Sequence, residues 1–312
     1  MAQARLLDRS DLAAGPRLQQ GALDLARRLP QLMIAAKDIA ATVIHGVHGR
    51  KRAGVGETFW QFRPFVQGES ANDIDWRRSA RDDRHFVRER EWEAAHTVWL
   101  WLDRSPSMAF VSDLARQPKV DRALVLGLAV ADLLVRAGER VGLLGVTRPM
   151  ATRAIVERLA GALLDDERKP GGAAQAELPD AEALAPRCQA LLIGDFLSPA
   201  GDIKARIEAL SARGATGHVV MIADPVEETF PFSGHMEFVD SDSPARLRVG
   251  RAEAFRATYV EALHLHRDAV RTACHARGWS FAIHRTDRPA AEALLALRMR
   301  LEDGGKTTAG SA

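Results

Sequence analysis

Asp103, Ser105 and Ser107 occupy alternate positions in the stretch Leu102-Asp103-Arg104-Ser105-Pro106-Ser107-Met108, directly after an apolar run. In a turning loop this spacing lets one carboxylate and two hydroxyls converge on a single point. Three hard oxygen donors of that kind suit Mg2+ or Mn2+. One anionic ligand leaves such a cation under-neutralised, so it would seek a carboxylate from outside. A second aspartate, Asp195, ends another apolar run and could add charge directly or through a bridging water. A further hydroxyl could come from the 147–152 loop, from Thr147 or Thr152. The same residue types also cap turns and helix starts with no ligand involved.

These residues need a scaffold that brings strand ends together. TVWLWLD (97–103), RVGLLGVT (140–147), CQALLIGD (188–195), HVVMIAD (218–224) and WSFAIH (279–284) read as strands. Helical periods over 118–137, 152–164, 203–213, 252–277 and 290–301 separate or follow them, and a hairpin is expected near 236–249. Nearly all-apolar strands alternating with helices imply an α/β fold. Its core is a doubly wound, mostly parallel sheet covered on both faces. Ligands in such sheets sit beyond the carboxyl ends of the strands, where Asp103 and Asp195 fall. Residues 165–182, rich in Gly, Ala, Pro and acids, read as a mobile connection. The tail from Asp303 reads as disordered.

Residues 46–91 have a different character. Arg63-Pro64-Phe65, Gly68-Glu69, Asp73-Ile74-Asp75-Trp76 and Ser79-Ala80-Arg81 follow one another at short intervals. Arginines and acids are interleaved through to Glu91, which suggests mutual ion pairing, with Trp60, Phe65 and Trp76 packing the segment onto the sheet. The Asp73 and Asp75 pair is also a candidate second acidic cluster, for a metal or for the basic groups of a partner. The stretch 46–56, with His45, His48, Arg50, Lys51 and Arg52 nearby, is basic and flexible in composition.

The whole pattern from Arg63 to Met108 closely resembles the bacterial family called domain of unknown function 58, in which this signature precedes a domain like the von Willebrand factor A type. Asp103-x-Ser105-x-Ser107 with Asp195 is similar to the metal-ion-dependent adhesion site of those domains. The threonine of that site has no clear counterpart at Thr147 or Thr152. The resemblance spans about residues 45–300. It implies a von Willebrand factor A-like fold and a role as adaptor or co-chaperone partner of a MoxR-type AAA+ ATPase. Many relatives carry N-terminal membrane helices, a placement that this sequence gives no reason to adopt. The expected organisation is an N-terminal helix and signature segment at 1–95, the α/β domain at 96–302 and a tail at 303–312.

Bulk properties narrow the alternatives. The net charge is +2, so nucleic-acid binding would need a local basic patch at 45–52 or 77–90, where acids intervene. Cys188 and Cys274 are far apart and lack metal-site spacing, as expected of buried or free thiols in a reducing compartment. The helical stretch 23–44 is long enough to span a membrane, but Arg27, Arg28, Lys37 and Asp38 interrupt it. No leader is evident, and a cytoplasmic location is expected. A metal-dependent phosphohydrolase or nuclease is the enzymatic alternative. It would need a second carboxylate where Ser105 stands, and no nucleophile elbow, Walker loop or zinc-protease motif is present. The expectation is therefore a non-enzymatic, metal-dependent protein-binding module.

Overall fold

The computed structural model describes residues 4–6, 14–46, 59–66, 70, 74–81, 84–90, 96–169, 176–181, 184, 188–241 and 245–309. They fall into two compact units, Met1–Val47 with His96–Ala312, and His48–Ala95. Asp73, His48 and most of the basic stretch lie outside the described residues.

The larger unit starts with strand β1 (Ala4–Leu6) and the long helix α1 (Ala14–Gly46). The smaller unit holds β2 (Phe59–Pro64), the single-turn helix α2 (Trp76–Ser79) and β3 (Phe86–Arg90). The larger unit resumes with β4 (Thr97–Leu102), β5 (Phe110–Ser112), α3 (Lys119–Arg136), β6 (Arg140–Leu143) and α4 (Ile155–Glu167). Then come β7 (Gln189–Gly194), α5 (Ala200–Ala212), β8 (Thr216–Ala223) and α6 (Pro225–Thr229). A hairpin of β9 (Met236–Val239) and β10 (Arg246–Val249) precedes α7 (Arg256–His275), β11 (Ser280–Arg285) and α8 (Ala290–Ala309).

Five strands form one sheet in the order β11-β8-β7-β4-β6, and every pairing in it is parallel. From β4 the chain crosses to β6 on one side and then back to β7 on the other. The winding direction therefore reverses between β4 and β7, and the crevice at their carboxyl ends is the switch point of the fold. Alternation along β4 splits the core. Val98, Leu100 and Leu102 face α1, α3, α4 and α8, whereas Trp99 and Trp101 face the layer of α5 and α7. This is the α/β, doubly wound, parallel architecture expected from the strand pattern.

Helix α3 is the buried centre of one layer, with every residue from Lys119 to Asp132 buried. At Gly127 it comes so close to the sheet that a β-carbon there would meet Leu102 Cδ2 at 2.5 Å. Helix α1 packs on α3, α4 and α8 as a further layer. Its buried stripe of Leu25, Leu29, Leu32, Ala36, Ala40 and Val43 has the three- and four-residue spacing of an amphipathic helix. Ion pairs Arg28–Asp121 and Lys37–Glu157 flank that stripe. The helix that the sequence groups with the signature segment thus shares a core with the sheet, because a stripe this apolar needs cover. No helix among the described residues is long and apolar enough to cross a membrane.

Helix α8 runs eight residues past Leu301, through part of the tail expected to lack structure. Extension from an already packed helix fixes only one residue per added hydrogen bond, which favours such continuation.

In the smaller unit, the signature residues build a short motif. Asp75 caps α2 by accepting a hydrogen bond from the Arg78 backbone N–H at 3.0 Å. Ser79 Oγ donates to the Asp75 carbonyl and accepts from the Phe86 N–H. The Arg78 guanidinium lies over the Phe86 ring. Trp76 is 60% exposed and meets the His85 ring edge-on. Ile74, Ser79 and Val87 fill the buried positions instead.

Candidate functional site

Asp103 follows the last residue of β4, and its N–H still bonds to the Ile193 carbonyl of β7 at 2.9 Å. The ladder therefore carries the aspartate to the edge before the chain turns. Asp103 Oδ1 accepts the Ser105 N–H at 2.9 Å, which bends the loop back on itself. Pro106 opens a short 3-10 turn, and the wholly buried Met108 pins that turn into the core. Ser105 Oγ and Ser107 Oγ lie 3.0 Å apart. The carboxylate and both hydroxyls thus gather on one side of the loop, as their alternation predicts.

Arg104, between them, points the other way. Its guanidinium donates to Asp166 Oδ2 at 2.6 Å, Glu167 Oε2 at 3.3 Å and the Leu163 carbonyl at 3.2 Å, all at the carboxyl end of α4. A buried fork of charge-assisted bonds therefore fixes the back of the loop. It also complements the negative end of the helix dipole.

Asp195 sits at the end of β7, the neighbouring strand. The left-handed backbone of the following residue, Phe196 (φ 48°), is braced by a 2.7 Å bond between its carbonyl and His266 Nε2 and by ring contact with Trp101. Such a conformation costs energy in a non-glycine residue and persists only when its surroundings enforce it.

Asp195 Oδ2 accepts a bond from Lys119 Nζ at 2.9 Å, and Lys119 Nζ also donates to Glu227 Oε1 at 2.7 Å. Lys119 is 1% exposed. Burial opposes its charge, but the two carboxylates more than compensate and hold the ammonium above its ordinary range. Glu227 closes a capping box on α6 by accepting the Asp224 N–H at 2.8 Å. Asp224, at the end of β8, receives the N–H and hydroxyl of Ser112. Three adjacent strands, β4, β7 and β8, therefore each lead into a buried aspartate at one edge.

The electrostatics follow from this burial. Asp103 is 1% exposed; desolvation, and then the charge of Asp195, push its carboxyl up to about 7 against the bonds from Ser105 and the charge of Lys119. Asp195 and Glu227 are paired with the Lys119 ammonium, whereas Asp103, Ser105 and Ser107 offer one carboxylate and two hydroxyls, an oxygen set for Mg2+ or Mn2+ that leaves a divalent ion short of negative charge. No group of three or more His, Cys, Asp or Glu side chains among the described residues has metal-site geometry, so the two serines are essential to such a set.

Neither candidate threonine has a hydrogen bond to this loop. Thr147 Oγ1 accepts the Leu143 N–H at 2.9 Å in the turn after β6, and Thr152 Oγ1 accepts the Ala154 N–H at 3.3 Å. Asp75 is committed to its helix cap, and Arg81 is exposed beyond α2. Arg63 lies on β2 opposite Val87. Lys119 and Arg104 escaped the sequence reading. A lysine directly after Pro118, at the positive end of an apolar helix, is the signal by which Lys119 could have been found. Asp224-Pro225-Val226-Glu227 likewise has the spacing of a capping box.

Residues 61–269 match the family described as protein of unknown function DUF58. The chain belongs to that family. It is 25% identical over 290 residues to the uncharacterized proteins Rv1480 of Mycobacterium tuberculosis and Mb1516 of Mycobacterium bovis, with 88% of this chain and 89% of each relative covered. Among solved structures, an aerotolerance-related membrane protein from Bacteroides fragilis superposes with a TM-score of 0.41 at 15% identity, over 67% of this chain and 100% of that one. The conserved hypothetical protein BatB from Bacteroides thetaiotaomicron gives a TM-score of 0.37 at 11% identity, with the same coverage. Neither superposition is close enough to carry a functional argument.

Proposed function

We propose that this DUF58 protein is a non-enzymatic, metal-dependent docking module. Asp103, Ser105 and Ser107 would hold Mg2+ or Mn2+, and a carboxylate on a protein partner would complete the shell. The observation that carries this reading is the convergence of one buried carboxylate and two adjacent hydroxyls at the switch point of the sheet. Bound there, the metal would offer a hard Lewis-acid position to an incoming carboxylate.

The chain's own residues do the rest. Arg104 locks the loop to α4, Met108 anchors it, and the ladder bond to Ile193 sets the height of Asp103 at the edge. Ser107 is partly exposed and gives the cluster its opening to solvent. The family resemblance supports a MoxR-type AAA+ ATPase as the partner.

A pull-down from native extract, with Mg2+ or EDTA and with wild type or Asp103→Ala, tests the proposal. Retention of an AAA+ ATPase only with Mg2+ and intact Asp103 is the expected result. Retention indifferent to both changes would make the loop purely structural.

A further inference from the structure

Lys119 is hard to explain as packing alone. It opens α3, where the positive end of the helix dipole disfavours a cation. The helix has no side-chain cap at Pro118, and the lysine is almost completely buried. An unpaired ammonium could not persist there, and it is held by two carboxylates from separate elements, Asp195 after β7 and Glu227 in α6. Asp195 is the residue best placed by topology to add a second negative charge to a cation beside Asp103, and one of its oxygens is already bound to Lys119.

We propose that Lys119 is a tethered cation that withdraws Asp195 from metal binding, leaving the divalent ion on Asp103, Ser105 and Ser107 and short of negative charge until a partner carboxylate arrives. The inference rests on the metal-dependent reading above and specifies how the site is tuned. With Asp195 free, the protein itself would neutralise more of the ion's charge. The resting affinity for metal would rise, and the attraction for an external carboxylate would fall. Lys119 is thus a positioning residue: it acts on the cation through Asp195.

The test is Mn2+ binding to the full chain, followed by electron paramagnetic resonance, for wild type, Lys119→Met and Lys119→Met/Asp195→Asn, with circular dichroism to establish folding. The expected result is weak binding by wild type, binding about tenfold tighter in Lys119→Met, and loss of that gain in the double variant. Unchanged or weaker binding by a folded Lys119→Met chain overturns the role given to Lys119 and leaves the metal site standing. Absence of Mn2+ binding in all three chains overturns the metal-dependent reading itself, and this inference with it.

A second measurement needs no substitution. In 15N-lysine-labelled wild type, the buried Lys119 ammonium should give a slowly exchanging resonance that stays in place as diamagnetic Mg2+ saturates the site. Its loss or displacement to an unpaired position would mean that Asp195 leaves the lysine for the metal, which also overturns the proposal.

Discussion

The carboxylate of Asp103 lies directly against the backbone of Gly194, so close that a β-carbon on Gly194 would sit 2.8 Å from Asp103 Oδ2 and 2.8 Å from its Cβ. Trp101 Cζ3, at 3.1 Å, closes the remaining space. Glycine is required by this close approach between neighbouring strand ends. Gly194→Ala should displace the Asp103 side chain, cost about 1–3 kcal/mol of stability and abolish Mn2+ binding. Calorimetry and resonance titration of the same sample would separate the two effects. Unchanged metal binding would mean that Asp103 is not the ligand.

Arg104 offers a test of how the loop is held. Its side chain is 4% exposed, and Asp166 and Glu167 are similarly buried around it. Arg104→Met would leave the buried Asp166 carboxylate without this cation, and a loss of about 3–5 kcal/mol is expected in urea denaturation. Arg104→Met/Asp166→Asn should recover much of that loss, because the stranded charge is then gone. Failure to recover would assign the cost to packing around the arginine stem.

Helix α1 can be checked separately from the site. Ala36 and Ala40 are both 0% exposed in the stripe that faces the core, whereas Ile34 is 62% exposed. Ala40→Leu should destabilise the chain by about 1–3 kcal/mol through overpacking, while Ile34→Ala should change stability by less than about 0.5 kcal/mol. Equal effects would show that α1 does not share the core in solution.

The sheet was legible because its five strands are short, apolar and separated by helical periods, and all five appear with ends displaced by a few residues at most. The largest displacement is at β6, which ends at Leu143, because Thr147 folds back onto the Leu143 N–H. The places of Asp103 and Asp195 at the carboxyl edge of the sheet were legible because a strand end identifies its own terminal side chain. Their partners were not, since Lys119 meets Asp195 across 76 positions of sequence and Glu227 across 108. Such meetings depend on strand order, which apolar periodicity does not encode.

The acidity of Asp103 predicts how metal and pH are linked. Its folded pKa of about 7 exceeds its ordinary value of 3.8, so between these limits the folded chain binds more protons than the unfolded one. Without metal, this group's contribution to stability should fall as pH rises through that window, by on the order of 3–4 kcal/mol. His218 and His284, depressed to about 4 chiefly by burial, act in the opposite direction, adding stability as pH rises towards 6.5. The difference between wild type and Asp103→Asn removes their contribution, and it should move against wild type as pH increases from 4 to 7. Mg2+ should reverse that trend in wild type alone, because the ion replaces the proton. Its affinity should climb up to about pH 7 and level off above it. A difference that is flat with pH would mean that Asp103 is ionised throughout, with Lys119 and Ser105 sufficient to hold its charge.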